Sequence, residues 1–292
     1  MPDWTHIAER ITATGAKAPA TTRARAVGGG CIASAYVLGE GTVQYFVKTH
    51  GPQRVSMFEA EFAGLHVLSR AGSLRVPAPI CVGVADDAAY LVLEYLYLTD
   101  RGDAGRLGEQ LAALHREQGT HYGWERDNTI GATAQINTPQ DDWVRFWRHQ
   151  RLGRQLALAA QRGAGSRVLE RGQALSERLG DFFRTYTPAP SLLHGDLWSG
   201  NAAYLPDGTP VIFDPAVYYG DRETDLAMTE LFGGFPPAFY RAYAASYPLD
   251  SGYAVRKTLY NLYHILNHYN LFGGGYLQQA EQMLDQLLSE VR

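Results

Sequence analysis

His194-Gly195-Asp196, Asn201 and Asp214 are the residues of this 292-residue chain whose types and spacing best suit chemistry. They read H-x-D-x-x-x-x-N, followed by the apolar run Val211-Ile212-Phe213 that closes on the second carboxylate. Transfer of a phosphoryl group from a nucleotide asks for such a set. One carboxylate orients and deprotonates the attacking hydroxyl, while an amide oxygen and a later carboxylate hold Mg²⁺ on the phosphates. Asp196 is therefore the candidate base, and Asn201 and Asp214 are the candidate metal ligands. The competing reading is of polar loop residues that cap helices. The turn signal Pro206-Asp207-Gly208, which predicts a hairpin between Asn201 and Asp214, weighs against it.

The N-terminal third offers matching nucleotide-binding groups. Lys48 ends the apolar stretch Tyr45-Phe46-Val47, and Glu61 follows thirteen positions later in a segment of helical spacing. An ion pair between them would hold the lysine against the α- and β-phosphates; Glu59 is the rival partner. Gly28-Gly29-Gly30 lies between two strand-like segments and could bring backbone N–H groups to phosphate oxygens. The third glycine of a G-x-G-x-x-G would fall on Ala33, so a plain hairpin loop accounts for it equally well. Cys31 adjoins it, and a thiol among backbone amides is a candidate for redox control, including a disulfide between two chains. Glu94-Tyr95-Leu96 closes a strand leading out of this region, where main-chain groups could meet adenine; that assignment rests on position alone.

The elements that must carry these residues are legible from periodicity. A short amphipathic helix is expected at 3–13, strand-like alternation through 23–49, and an amphipathic helix at Ser56–Arg70 built on Phe58, Phe62, Leu65 and Leu68. Strands are expected at Ile80–Val84 and Ala89–Leu96. Beyond Leu98, helical spacing dominates, with helices expected across Val168–Tyr186 and at Pro237–Ser246, Tyr253–Leu271 and Gln278–Val291. The fold class is α+β, in two lobes: a β-rich N-terminal lobe (1–97) carrying one main helix, and a larger, mostly helical C-terminal lobe (98–292).

Composition bounds the partners. With 46% hydrophobic and 19% charged residues and a net charge of −4, the chain reads as an ordinary globular protein. It has no Lys/Arg block to hold nucleic acid or an anionic membrane, and no apolar run long enough to span a bilayer. Its start lacks the apolar core of a secretory signal, and its two cysteines, Cys31 and Cys81, lack metal-ligand spacing. A cytoplasmic protein, monomeric or a redox-linked homodimer, is the expectation.

Details around the main motif narrow the acceptor. Trp198 stands two residues after Asp196, where protein kinases commonly carry a lysine; an aromatic face suits a sugar ring or a cationic amine, or simply packs. Asp214 is followed by Pro215-Ala216 instead of Phe-Gly, and Gly195 takes the place of the arginine that would read an activation-loop phosphate. A small-molecule acceptor follows. Asp225 is expected to brace the catalytic loop. His264 and His268, four apart on one helical face with Asn267 beside them, either line an acceptor pocket or pack against another helix.

Leu193–Asn201, Ile212–Ala216, and Met228–Phe235 with its Phe232-Gly233-Gly234-Phe235 closely resemble the fructosamine-3-kinase (ketosamine-3-kinase) family. The likeness extends to Gly28–Ile32, Met57–Glu61, Asp141-Asp142-Trp143 and Leu259–Phe272, and so to nearly the whole chain. The resemblance implies a bilobal, protein-kinase-like fold and ATP- and Mg²⁺-dependent phosphorylation of ketoamines, free or as glycated lysines, at the sugar O3. The product is unstable and loses its sugar, which amounts to deglycation. By position it makes Asp196 the base, Asn201 and Asp214 the Mg²⁺ ligands, Lys48 and Glu61 the phosphate anchor, and Trp198 and His268 sugar contacts. The alternatives are a kinase of aminoglycoside or choline type and a catalytically silent nucleotide-binding scaffold.

Overall fold

In a computed structural model of the chain, residues 2–28 and 32–291 are described; Gly29, Gly30 and Cys31 of the glycine-rich segment lie outside the described residues. The chain divides into two compact units, Met1–Asp103 with Ala202–Pro215, and Ala104–Asn201 with Ala216–Arg292. The hairpin between the candidate metal ligands thus groups with the N-terminal strands.

The first unit is built on an antiparallel sheet of β1 (Ala24–Val27), β2 (Ser34–Glu40), β3 (Val43–His50), β4 (Pro79–Ala85) and β5 (Ala88–Glu94), ordered β1-β2-β3-β5-β4. Side chains alternate along β3. Tyr45, Val47 and Thr49 are buried on one face, and Lys48 therefore points from the other. On the first face lies α1 (Trp4–Ala13), which is capped by Asp3 Oδ1 accepting from the amides of Thr5 and His6. Its Ile7 and Ile11 are wholly buried against Leu38, Val47, Tyr90 and Val92, each contributing about 1.5–3 kcal/mol of burial. Cys81 shares that cluster, where burial pushes its thiol up to about 11 and leaves it inert. The helix α2 (Val55–Ala71) buries Phe58, Leu65 and Leu68, three of the four positions expected from periodicity.

The hairpin Ala202–Tyr204/Pro210–Ile212 is fastened to this unit by main-chain bonds. Thr99 and Tyr204 exchange N–H···O contacts at 2.7 and 3.0 Å, and the Ile212 amide donates to the Arg75 carbonyl at 3.0 Å. Its turn is at Pro206-Asp207-Gly208, as the residue types predict.

The second unit is mostly helical: α3 (Ala104–Leu114), α4 (Trp143–Phe146), α5 (Gly153–Gln161), α6 (Ser166–Glu177), α7 (Glu223–Leu231), α8 (Pro237–Ser246), α9 (Tyr253–Phe272) and α10 (Tyr276–Glu290). Between α4 and α5 the chain runs as a π-helix, Trp147–Leu152, whose wider turn puts Arg151 wholly inside. Its guanidinium lies over the rings of Tyr218 (4.1 Å) and Phe146 (4.6 Å) and donates to the Ile136 carbonyl and Asn137 Oδ1. Those rings and oxygens offset the cost of burying the cation. The helical block expected across Val168–Tyr186 consists of α6, which ends at Glu177, and the 3₁₀ turn Leu179–Phe183. Two strand pairs were not evident in the sequence: Asn128–Ile130 with Thr133–Gln135, and Ser191–Leu193 with Tyr218–Gly220. In and just after the second pair, Tyr218, Gly220, Asp221 and Glu223 are all buried. No helix among the described residues is long and apolar enough to cross a membrane.

Candidate active site

In the first unit, Lys48 Nζ lies between two carboxylates, 2.7 Å from Glu61 Oε1 and 2.5 Å from Asp214 Oδ1. β3 sends the lysine out on the face opposite Val47, α2 supplies Glu61, and the end of the hairpin supplies Asp214. Burial works to lower the lysine's pKa, but the carboxylates of Asp214 and Glu61 outweigh it and hold it above the ordinary range. Lys48 is thus a fixed cation. Asp214 keeps 43% of its side chain exposed, so an oxygen-seeking ligand can reach it. Its φ of +57° is left-handed, which Asp tolerates better than most residues and which sets the carboxylate at a sharp bend.

Glu94 is placed differently from a free hinge residue. Its amide donates to the Ala78 carbonyl at 2.8 Å, and its carboxylate receives Arg75 Nη2 and the Ala78 amide. Main-chain donors for a ligand are therefore left to Tyr95 and Leu96, which follow the strand's end. Gly28 is exposed, with open space where a side chain would be.

In the second unit, the strand Ser191–Leu193 leads into the loop that carries Asp196, and the residues after the strand are braced from behind. Asp225, in the first turn of α7, accepts the His194 amide on Oδ2 and the Gly195 amide on Oδ1, both at 2.8 Å. His115 Nε2 lies 3.2 Å from Oδ2, and its Nδ1 lies 2.8 Å from the Tyr243 hydroxyl. Burial opposes charge on Asp225, but His115 and the loop amides prevail and keep its carboxyl below the usual range. Gly195 can be nothing else: φ is +84°, and a Cβ would sit 2.1 Å from the Ala216 carbonyl oxygen. That explains the glycine at the position where protein kinases carry an arginine. The Ala216 amide in turn donates to the His194 carbonyl at 2.8 Å, closing the loop's base.

Asp196 is half-buried, and its amide donates to His194 Nδ1 at 3.3 Å. Asn201 Nδ2 donates to the Asp196 carbonyl at 2.9 Å, with Asp196 Oδ2 at 3.4 Å. Since the amide nitrogen is used there, Oδ1 remains as Asn201's acceptor. Leu197 is buried and anchors the loop, while Trp198 turns outward and is 36% exposed. The indole packs over Gly200, where a Cβ would fall 2.4 Å from the ring.

A family profile described as fructosamine kinase matches residues 3–290. The chain belongs to the fructosamine kinase family. It is 50% identical to a probable ketoamine kinase of Synechocystis, over 98% of this chain and 97% of that one. It is 42% identical to the chloroplastic protein-ribulosamine 3-kinase of Arabidopsis thaliana, over 94% and 85% of the two chains. The crystal structure of a candidate fructosamine-3-kinase from Haemophilus somnus 129PT superposes with a TM-score of 0.89 at 30% identity, over 98% and 97%. Fructosamine kinases are phosphotransferases with an alcohol group as acceptor, and the α+β, protein-kinase-like fold expected from the sequence is the one found.

Seen as a fructosamine kinase, the chain brings together Lys48, Glu61 and Asp214 in one unit, and Asp196, Asn201 and Trp198 in the other. His268 is also in the second unit, one ring removed from Trp198 through Phe232. Asn267 is structural: its side chain accepts from Gln155 and donates to the Ile130 carbonyl. His264 is buried, and burial first of all lowers its pKa to about 3. Sequence reasoning missed His115, for which a lone histidine in a helical stretch gives no signal.

Proposed function

We propose that this protein is an ATP- and Mg²⁺-dependent ketoamine kinase that phosphorylates the sugar O3, after which the sugar is lost from the amine. The observation that carries the reading is the outward-facing Trp198 on the catalytic loop of a fructosamine kinase family member, two residues from Asp196. The names of the Synechocystis and Arabidopsis relatives support the acceptor class.

Asp196 takes the proton of the O3 hydroxyl as its oxygen bonds to the γ-phosphorus and ADP departs. Lys48, steadied by Glu61, offsets charge on the triphosphate. The donors fit magnesium, a hard cation held by few protein oxygens alongside nucleotide phosphates: the Oδ1 of Asn201 and the exposed carboxylate of Asp214. Bound there, the ion would neutralise phosphate charge. Trp198 offers its face to the sugar, and His268 its ring to the same acceptor. A cytoplasmic setting is part of the proposal and rests on the buried, free Cys81.

Two variants separate these roles. Asp214→Ala abolishes Mg²⁺-dependent nucleotide binding by calorimetry; unchanged Mg·ATP affinity removes Asp214 from metal binding. His268→Ala raises KM for a ketoamine while the KM for ATP holds, and an unchanged ketoamine KM returns the α9 face to a packing role. The function itself is tested by ADP release with Mg·ATP against ribulose-lysine, erythrulose-lysine, fructose-lysine, kanamycin and choline. Turnover confined to the ketoamines is the expected result. Turnover confined to kanamycin or choline reassigns the acceptor, and bound ATP without turnover favours a silent scaffold.

A further inference from the structure

Arg75 stands where two parts of the first unit meet. Its neighbours Leu74 and Val76 are buried, and Arg75 itself pairs in parallel with Val211 of the hairpin. Its carbonyl accepts the Ile212 amide at 3.0 Å. Asp214 follows two residues after Ile212 and lies 2.5 Å from Lys48 Nζ. The Arg75 main chain thus fastens the arm that ends in the candidate metal ligand.

The Arg75 side chain reaches the other way. Nη2 donates to both carboxylate oxygens of Glu94 at 2.5 Å, and Nη1 donates to the Val76 carbonyl. Ala78 closes the clasp: its amide donates to Glu94 Oε2 at 3.0 Å, and its carbonyl accepts the Glu94 amide at 2.8 Å. Pro77 and Pro79 flank Ala78, and their locked φ angles stiffen the span from Arg75 to Ala78. Glu94 ends β5, and Tyr95-Leu96, with main chain to offer a base, come next. Both side chains of the ion pair are 34% exposed, and a pair that open to water adds little to stability. What a charge-assisted contact of fixed direction supplies here is geometry.

We propose that Arg75 is a positioning residue of the nucleotide site: it holds the strand end that precedes Tyr95-Leu96 at a set distance from the hairpin end that carries Asp214. The inference rests on the ATP- and Mg²⁺-dependent reading above. Base and triphosphate are two ends of one ligand, and their contacts reinforce each other only where the protein spaces them to match. ATP without Mg²⁺ gains nothing from Asp214, so that spacing matters to it far less than to Mg·ATP.

The test measures the Kd of ATP with Mg²⁺ and with EDTA in the wild type, Arg75→Met, Glu94→Met and the double variant. The bond from the residue-75 carbonyl to Ile212 belongs to the main chain and survives Arg75→Met, so the substitution frees only the Glu94 end. Arg75→Met raises the Mg·ATP Kd about tenfold and leaves the Mg²⁺-free Kd within about twofold. Glu94→Met does the same, and the double variant is no worse than either single one, as two partners in one contact require. A purely structural role lowers both affinities alike. Equal loss with and without Mg²⁺, no loss in either, or single effects that multiply in the double variant overturn the proposal while the kinase stands. A wild type whose ATP affinity gains nothing from Mg²⁺ removes the Mg²⁺-dependent reading as well.

Discussion

Asp196→Asn lowers ketoamine turnover by at least about two orders of magnitude, the scale of losing a positioned general base. The amide keeps the shape of the carboxylate but cannot take the hydroxyl proton. The main-chain contacts that define the loop survive the change, because the Asp196 amide donates to His194 and its carbonyl receives Asn201. Thermal unfolding and Mg·ATP affinity therefore stay near wild type, and the loss falls on kcat. Steady-state assays beside a melting curve check this. A folded variant that retains turnover takes the role of base away from Asp196.

Asp225→Ala acts through stability. The carboxylate is buried and receives the His194 and Gly195 amides with His115 beside it, so its removal leaves buried donors without partners. The cost is about 3–5 kcal/mol, as for breaking a buried charge network from one side. Denaturant unfolding measures it, and a loss below about 1 kcal/mol contradicts the brace. The pH dependence has a definite sign. Because the folded carboxyl is held below its ordinary value, this stabilisation is whole above about pH 4, the unfolded value, and drains away as the pH falls through the folded one. Asp225→Ala removes that acid-side dependence together with the stability.

Much of the positioning machinery could be read from the chain. Periodicity placed α1, α2 and α8 within a residue or two, because each buries one stripe of side chains: Ile7 and Ile11 in α1, Phe58, Leu65 and Leu68 in α2, and Phe239 and Tyr243 in α8. The hairpin was legible because Pro206-Asp207-Gly208 leaves the backbone few alternatives. What escaped was set by distant partners. Tyr218–Gly220 becomes a strand only by pairing with Ser191–Leu193, more than twenty residues earlier, and three residues carry no periodic signal of their own. The π-helix at Trp147–Leu152 breaks the period that would reveal it and answers to the rings around Arg151. Within the site, the residue types pointed to Lys48, Glu61, Asp196, Asn201 and Asp214. They could not show that Gly195 is needed for its left-handed backbone and its approach to Ala216, or that Glu94 is tied to Arg75. Those facts depend on what lies opposite, which no local pattern encodes.

The most direct measurement follows the product itself. Ribulose-lysine and Mg·ATP are incubated with the wild-type protein, and phosphorus–proton correlation NMR locates the new ester while free lysine is monitored. A phosphate coupled to the sugar H3, followed by release of lysine, is the predicted result. Phosphate on another hydroxyl, or ATP consumed to inorganic phosphate with the ketoamine untouched, contradicts the account.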